Sequence, residues 1–258
     1  MTSAFGVQAA VEHARAAELY EFGGVWLAEH HFVQYGRCPS ATVLAATILQ
    51  ATEHITVGTA ACVFSARHPI SLAHEALLLH ELYGDRFALG VARGGPGIEN
   101  DLIGGGMDRY HNGFSEWLDT LLHHLGGAMP VWVAATGPAT AQLAAERGLR
   151  LMLGVERPID EPCDAKVVLA YPGAEAEREL RHNLPLWLAR KDPHRDWTDH
   201  VERLLRVNPI GPPDVVANAL SKVARPLCMV EAAGSIDGTT RLMKTLASLT
   251  HGSGAHGR

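Results

Sequence analysis

Short apolar segments alternate with helical patterns along most of the chain, and this alternation limits the possible folds more than any other feature. Seven segments have the length and apolar character of buried strands: residues 24–28, 55–59, 87–91, 131–134, 149–153, 166–170 and 227–230. Helical patterns separate most of them, at residues 8–20, 40–51, 71–83, 114–125, 138–147, 175–190, 213–223 and 239–249. Strands that alternate with helices, without short hairpin turns between them, run parallel. The sequence therefore predicts a parallel α/β fold.

Two folds fit this alternation, a (β/α)8 barrel and a doubly wound open sheet. The 258 residues are enough for one barrel, since such barrels commonly contain about 250 residues. A doubly wound sheet usually has a Gly-rich phosphate-binding turn after its first strand. Here Ala28–Phe32 follows the first strand, and the glycines of Gly94–Gly97 have the wrong spacing. We therefore predict one barrel domain over residues 1–250, with a disordered Gly/His/Ser-rich tail at 251–258.

Composition and charge exclude several classes of protein. With a net charge of −6, the chain lacks the basic surface of a nucleic-acid-binding protein. No apolar run approaches the roughly 20 residues that a membrane span needs, and Met1–Ala4 lacks the features of a signal peptide. The four cysteines are far apart and form no CxxC pair. We expect a cytoplasmic protein with reduced thiols that binds neither nucleic acid nor a membrane.

In a parallel barrel, the active site lies at the C-terminal ends of the strands. That rule selects the residues after the first four strand segments: Glu29, His30, His31, Thr59 to Val63, Ala92, Arg93, Ala135 and Thr136. From chemistry alone, the adjacent histidines fit a catalytic base, a metal ligand or a buried structural residue. The 15 histidines show no metal-ligand spacing, so we expect no metal site.

Four segments, in the same order along the chain, resemble the bacterial luciferase-like flavin monooxygenases. They are Val25–Phe32, Val57–Val63 with His68-Pro69, Leu82–Phe87 with Arg93-Gly94, and Pro130–Ala134 with Ala144–Leu149. The likeness is to the α-subunit type, covers about residues 8–155 and is weaker beyond them. The resemblance implies a (β/α)8 TIM-type barrel, in a truncated form.

The same resemblance implies an activity. Members of the family use reduced FMN as a loosely bound co-substrate, supplied by a separate flavin reductase, together with dioxygen. A flavin C4a-(hydro)peroxide then oxidises a small-molecule substrate, which we expect here to be small or medium in size and apolar. His30 matches the catalytic histidine of the family, and an imidazole that titrates near neutral pH suits proton transfer at pH 7.

The resemblance also implies which residues contact the flavin and the substrate. Ala60 and Ala61 match a non-proline cis peptide beside the flavin ring, and Arg93 matches a flavin-contacting arginine. Ala135 and Thr136 match the phosphate site before a helix N-terminus. The remaining candidates are His111, which aligns with a second phosphate-binding arginine, and Glu29 and His31, which are expected in the substrate pocket.

The chain departs from the family pattern at several places. Residues 1–7 are too short and too polar for the first strand of the family, and residues 156–165 leave no room for a crossover helix. Leu125–Met129 replaces a strand-forming insertion, and Ala92 stands where the family has a reactive cysteine. An unpaired first edge needs a cover. We therefore expect residues 1–7 or a partner chain to cover it, in a homodimer.

Three other functions are compatible with the sequence. A shortened barrel fits a non-catalytic flavin-binding protein or a partner subunit that stabilises a catalytic chain. An F420-dependent oxidoreductase of the same superfamily is the third. The histidine at position 30 favours catalysis, and the local match at Glu29–Phe32 favours FMN.

Overall fold

The computed structural model describes residues 5–32, 36, 38–95, 98–103 and 106–251. Of the tail predicted at residues 251–258, only His251 is described, and it is the last residue of the final helix. The rest of that prediction lies outside the described residues, as do residues 1–4.

The strands of the described residues are parallel throughout. They are β1 (Gly24–Leu27), β2 (Thr56–Thr59), β3 (Cys62–Val63), β4 (Phe87–Ala92), β5 (Val131–Ala135), β6 (Arg150–Leu153), β7 (Ala165–Val168), β8 (Tyr171–Pro172), β9 (Ile210–Gly211) and β10 (Pro226–Cys228). Seven of them pair in the order β1-β2-β4-β5-β6-β7-β10. The seven form a nearly closed barrel, as the alternation of apolar segments predicts. The short strand β3 pairs with β4, and β8 pairs with β9 apart from the barrel.

Helices surround these strands. They are α1 (Val7–Leu19), α2 (Ala41–Ala51), α3 (Pro69–Tyr83), α4 (Ile98–Leu102), α5 (Gly106–Asn112), α6 (Phe114–Leu125), α7 (Pro138–Glu146), α8 (Ala176–Leu188), α9 (Thr198–Val207), α10 (Pro213–Leu220) and α11 (Ile236–His251). Ser40 caps α2, because its hydroxyl accepts the amide of Val43 at 3.4 Å. Gly126 ends α6 in the left-handed conformation that favours glycine.

The interior of the barrel contains a small aromatic cluster. Side chains of a strand point alternately to its two faces, and Val25 and Leu27 pack toward the helices. Trp26 therefore points inward, where its ring meets that of Trp132 edge to face at 5.2 Å. Gly58 pairs with Trp26 across β1 and β2, and a Cβ at this glycine would lie 2.4 Å from the indole. The inner packing thus requires a residue without a side chain at position 58.

The barrel is incomplete in the way that the sequence predicts. In the described residues, α1 begins only a few positions after the start of the chain and no strand precedes it. The chain between β6 and β7 forms turns without a helix. Within the same described ranges, β1 pairs only with β2 and β10 only with β7. The barrel therefore has an open seam between β1 and β10.

Several other features constrain the chemistry. In the part of the chain that the structure describes, no helix has the length and apolar character needed to cross a bilayer. The same residues include no group of three or more His, Cys, Asp or Glu side chains placed to hold a metal ion. All four cysteines are free thiols.

Candidate active site

A cavity of about 830 Å³ lies at the C-terminal ends of β1, β2, β4 and β5. We refer to it as the main cavity. The sequence predicts nine residues for catalysis, flavin binding or substrate binding. Seven of them line this cavity: Glu29, His30, His31, Ala60, Ala61, Arg93 and Thr136. Because the ends of parallel strands meet at one face of the barrel, residues far apart in the chain converge there.

His30 follows β1, and its backbone amide donates to the carbonyl of Cys38 at 2.9 Å. Burial, together with the positive charge of Lys191, lowers the pKa of His30 from 6.5 to about 4. The expectation that this imidazole titrates near neutral pH is therefore wrong, because its charged form is poorly solvated in this position. At pH 7 the ring is neutral, and one of its nitrogens can accept a proton.

Glu29 is almost fully buried and joins several elements around the end of β1. Its carboxylate accepts the amides of Ala41 and Val63 at 3.0 and 3.1 Å, and the guanidinium of Arg67 at 3.0 Å. Burial raises the pKa of Glu29, but the hydrogen bond with His31 (3.2 Å) and the charge of Arg67 outweigh it, so the pKa lies below its usual value. Although Glu29 lines the cavity, these partners make it an anchor that orients His31.

The peptide bond between Ala60 and Ala61 is cis, as the family resemblance implies. The amide of Ala60 donates to the carbonyl of Leu27 at 2.6 Å, and the carbonyl of Ala61 accepts the amide of Glu29 at 3.3 Å. These two bonds fix the peptide beside the end of β1, where both alanines line the main cavity.

The opposite wall of the main cavity is rich in hydrogen-bond donors. The guanidinium of Arg93 lies 6.0 Å from the ring centre of Tyr110, which also lines the cavity. Thr136 precedes α7, and the N-cap residue Gly137 has no side chain to satisfy the first amides of that helix. Of the described residues that line the main cavity, Glu29 and Asp192 are acidic, and both belong to other elements of the chain. The donor set therefore fits the phosphate of a nucleotide-like cofactor.

Two of the selected residues do not line the main cavity. His111 follows Tyr110 near the end of α5, and its side chain is exposed. Only its backbone carbonyl is engaged with the site, where it accepts Nη1 of Arg93 at 3.5 Å. Ala135 is the last residue of β5 and is buried. Tyr110, the neighbour of His111, lines the cavity, and the predicted contact of His111 with the phosphate stays a prediction.

A second cavity of about 330 Å³ lies at the seam between β1 and β10. We refer to it as the apolar cavity, since its walls include Trp26 and Leu227 together with other apolar side chains. Ala28, His30 and Ala60 line both this cavity and the main cavity. The two cavities therefore meet at His30.

A family model described as luciferase-like monooxygenase matches residues 1–162 of the chain, which is more than half of its length. The chain belongs to the luciferase-like monooxygenase family. Within that family, the alkanal monooxygenase alpha chain of Photorhabdus luminescens is 32% identical over 168 residues, covering 55% of this chain and 46% of the relative. The oxygenase component of a flavin-dependent trigonelline monooxygenase from Acinetobacter baylyi is 24% identical, covering 55% and 47%. The chain thus spans about half the length of the curated relatives it matches.

Solved structures of luciferase-like proteins share the fold over nearly the whole chain. Monooxygenase RslO1 from Streptomyces bottropensis superposes with a TM-score of 0.80 at 17% identity, covering 96% of this chain and 94% of that one. The oxygenating constituent of a 3,6-diketocamphane monooxygenase from Pseudomonas putida, in complex with FMN, gives 0.71 at 15% identity, covering 93% and 91%. An F420-dependent secondary alcohol dehydrogenase gives 0.64 at 14% identity, covering 93% and 95%.

The sequence did not reveal several further residues of the main cavity of this luciferase-like protein, among them Tyr110, Lys191, Arg195 and Trp197. The last three lie on the connection between α8 and α9. This connection belongs to the long segment between β7 and β10, and loops after barrel strands lie at the active-site face. That rule was the available signal, but it does not say which residues of a long connection reach the cavity.

Proposed function

We propose that this protein is a monooxygenase that uses reduced FMN and dioxygen to oxidise a small or medium apolar substrate. The observation that carries the proposal is the junction of the two cavities at His30. One cavity has a donor-rich wall suited to a flavin phosphate, and the other has an apolar wall suited to a hydrocarbon body. A proton acceptor lies where they meet. Ligand sites commonly combine apolar walls with a few polar groups in this way.

The phosphate of FMN fits the wall formed by Arg93, Thr136 and the first amides of α7. A hydrogen bond to a charged group contributes about 1.5–3 kcal/mol. Arg93 is the one arginine in the described part of this wall, and this small number of charged donors supports loose binding of FMN as a co-substrate. Ala60 and Ala61, which line the same cavity, would contact the flavin ring. Reduced FMN, when bound, would supply the electrons that activate dioxygen.

In this proposal, His30 is the proton acceptor of the reaction. Its ring is neutral above a pKa of about 4, so at neutral pH it accepts a proton from a group at the junction of the two cavities. A positioned acid–base group of this kind typically contributes about 10²–10⁴-fold to a rate. Glu29 holds the adjacent His31 in place at 3.2 Å, and the hydrogen bond from the amide of Ala60 to the carbonyl of Leu27 keeps Ala60 against the end of β1.

The reduced flavin comes from a separate flavin reductase, and both proteins are cytoplasmic. The trigonelline monooxygenase relative is described as an oxygenase component, which supports a two-component arrangement. An F420-dependent oxidoreductase is the second candidate, since an F420-dependent dehydrogenase superposes over 93% of the chain.

The proposal is tested by supplying the protein with reduced FMN, ¹⁸O₂ and a panel of aldehydes, ketones and aromatic compounds, each with and without a carboxylate or phenolate group, and measuring label in the products by mass spectrometry. We expect one labelled oxygen atom in at least one product. His30→Ala should lower product formation by about 10²–10⁴-fold with the fold intact, and the control His31→Ala should lower it less. Activity with F420 alone would contradict the proposal, as would FMN binding without any labelled product. The latter result would identify a non-catalytic flavin-binding protein or a partner subunit.

A further inference from the structure

Two cations on the connection between α8 and α9 line the main cavity. Lys191 and Arg195 come from the long segment between β7 and β10, whereas Arg93 and Thr136 follow β4 and β5. The charge of Lys191 acts on His30 and helps to lower its pKa. At least one of the two cations therefore lies within electrostatic range of the point where the main and apolar cavities meet.

The connection holds these cations in a defined place. Trp197 is buried, and its indole N–H donates to the carbonyl of Asp192 at 3.0 Å, which closes the chain into a compact turn. The guanidinium of Arg195 lies 4.3 Å from the ring centre of Trp197. Stacking of this kind limits the freedom of an arginine side chain and leaves its N–H groups available.

The carboxylates nearby are Asp192, Asp196, Asp199 and Glu156, and three of them are engaged by other groups. Asp192 and Asp196 each accept the backbone amide two residues further along the chain, at 3.0 and 2.9 Å. Glu156 lies 3.6 Å from the imidazole of His200 and 3.7 Å from the guanidinium of Arg203. In the part of the chain that the structure describes, neither Lys191 nor Arg195 has a carboxylate within ion-pair distance. Their charges are therefore available to a ligand.

We infer that the substrate has an anionic group, a carboxylate or phenolate, which Lys191 and Arg195 bind, and an apolar body that extends past His30 into the apolar cavity. This inference rests on the proposed function and narrows its substrate class. Both cations are exposed and stay hydrated without a ligand; a substrate with an anionic group would use their charges, and a purely apolar one would not. The flavin phosphate does not need them, because Arg93 and the amides of α7 provide its donors at the ends of β4 and β5.

The test uses a matched pair of probes, 2-naphthoate and its neutral analogue 2-naphthamide. Both are titrated by calorimetry into the protein saturated with oxidised FMN and into the protein without flavin. We expect the wild-type protein to bind 2-naphthoate at least about tenfold more tightly than 2-naphthamide, as one charge-assisted hydrogen bond predicts. Lys191→Met and Arg195→Met should each weaken 2-naphthoate about five- to tenfold and change 2-naphthamide less than about twofold.

Three controls keep this test decisive. Lys222→Met removes an exposed lysine outside the described cavities and should change neither affinity. Arg195→Lys should restore most of the preference for 2-naphthoate. Circular dichroism verifies that each variant is folded.

The inference is overturned if 2-naphthoate binds no more tightly than 2-naphthamide, or if the variants weaken both probes equally. It is also overturned if the variants weaken FMN but not riboflavin, since the two cations then hold the flavin phosphate. A failure of the proposed function can be distinguished from a failure of this inference. If FMN does not bind but the preference for 2-naphthoate remains and depends on Lys191 and Arg195, the anion site stands without the flavin.

Discussion

Replacing His30 with asparagine should remove a defined part of the pH dependence of stability. In the unfolded chain, this histidine takes up a proton near its ordinary pKa of 6.5, whereas in the folded protein the pKa is about 4. Between these values the unfolded state binds one more proton than the folded state. Stability is therefore complete above pH 6.5 and falls as the pH decreases toward 4.

The size of the effect follows from the two pKa values. One pKa unit corresponds to about 1.4 kcal/mol, so the shift over its full range is worth about 3 kcal/mol. Between pH 7.5 and pH 5.0, the protonation of unfolded His30 should lower the free energy of unfolding by about 2 kcal/mol. The asparagine side chain does not titrate and cannot contribute this loss.

Urea unfolding at these two pH values, monitored by tryptophan fluorescence, measures the difference. The wild-type protein should lose about 2 kcal/mol more than His30→Asn, because other groups contribute equally to both. His182→Asn removes an exposed histidine of α8 and controls for the loss of a histidine as such. If the wild-type and His30→Asn proteins lose the same stability to within about 0.5 kcal/mol, the ring is not held neutral by burial. Its role as a proton acceptor at neutral pH would then need revision.

Other predictions concern the framework around the site. Glu29→Gln removes the buried partner of Arg67, which still pairs with the half-exposed Glu75, and should cost about 1–3 kcal/mol of unfolding free energy in urea titrations; a loss below about 0.5 kcal/mol would show that Glu29 is not an anchor. Gly58→Ala places a Cβ 2.4 Å from Trp26 and should cost about 1–3 kcal/mol, whereas Gly23→Ala, which meets no atom within 4 Å, is the control. We also expect a homodimer by analytical ultracentrifugation, since the outer edge of β1 needs a cover; a stable monomer with that edge exposed to hydrogen exchange would contradict this.

The seven barrel strands could be predicted because parallel strands are buried on both faces and appear as continuous apolar runs. Segments such as Phe87–Ala92 and Val131–Ala135 have this character. The location of the site followed from the strand-end rule. The two-residue strands β3, β8 and β9 were not predicted, since two residues are too few to form a pattern. The missed helix α9 does have a pattern, with Val201 and Leu204 buried three residues apart.

Side-chain direction and environment were harder to predict than position. Tyr110 and His111 are neighbours on a short helix, and successive helical residues differ in direction by about 100°. The family alignment that placed His111 at the flavin phosphate therefore gave no information on the direction of its side chain. The low pKa of His30 depends on burial and on Lys191, which lies far away in the chain. Contacts of this kind exist only after folding.

Anaerobic titration of the protein with reduced FMN, reduced riboflavin, reduced F420 and NADPH tests the central claim most directly. Fluorescence quenching should give a micromolar dissociation constant for reduced FMN, at least about tenfold weaker binding of riboflavin, which lacks the phosphate, and little response to NADPH. Arg93→Met should weaken FMN but not riboflavin. Tight NADPH or F420 binding without a response to FMN would contradict the claim, as would equal affinities for FMN and riboflavin.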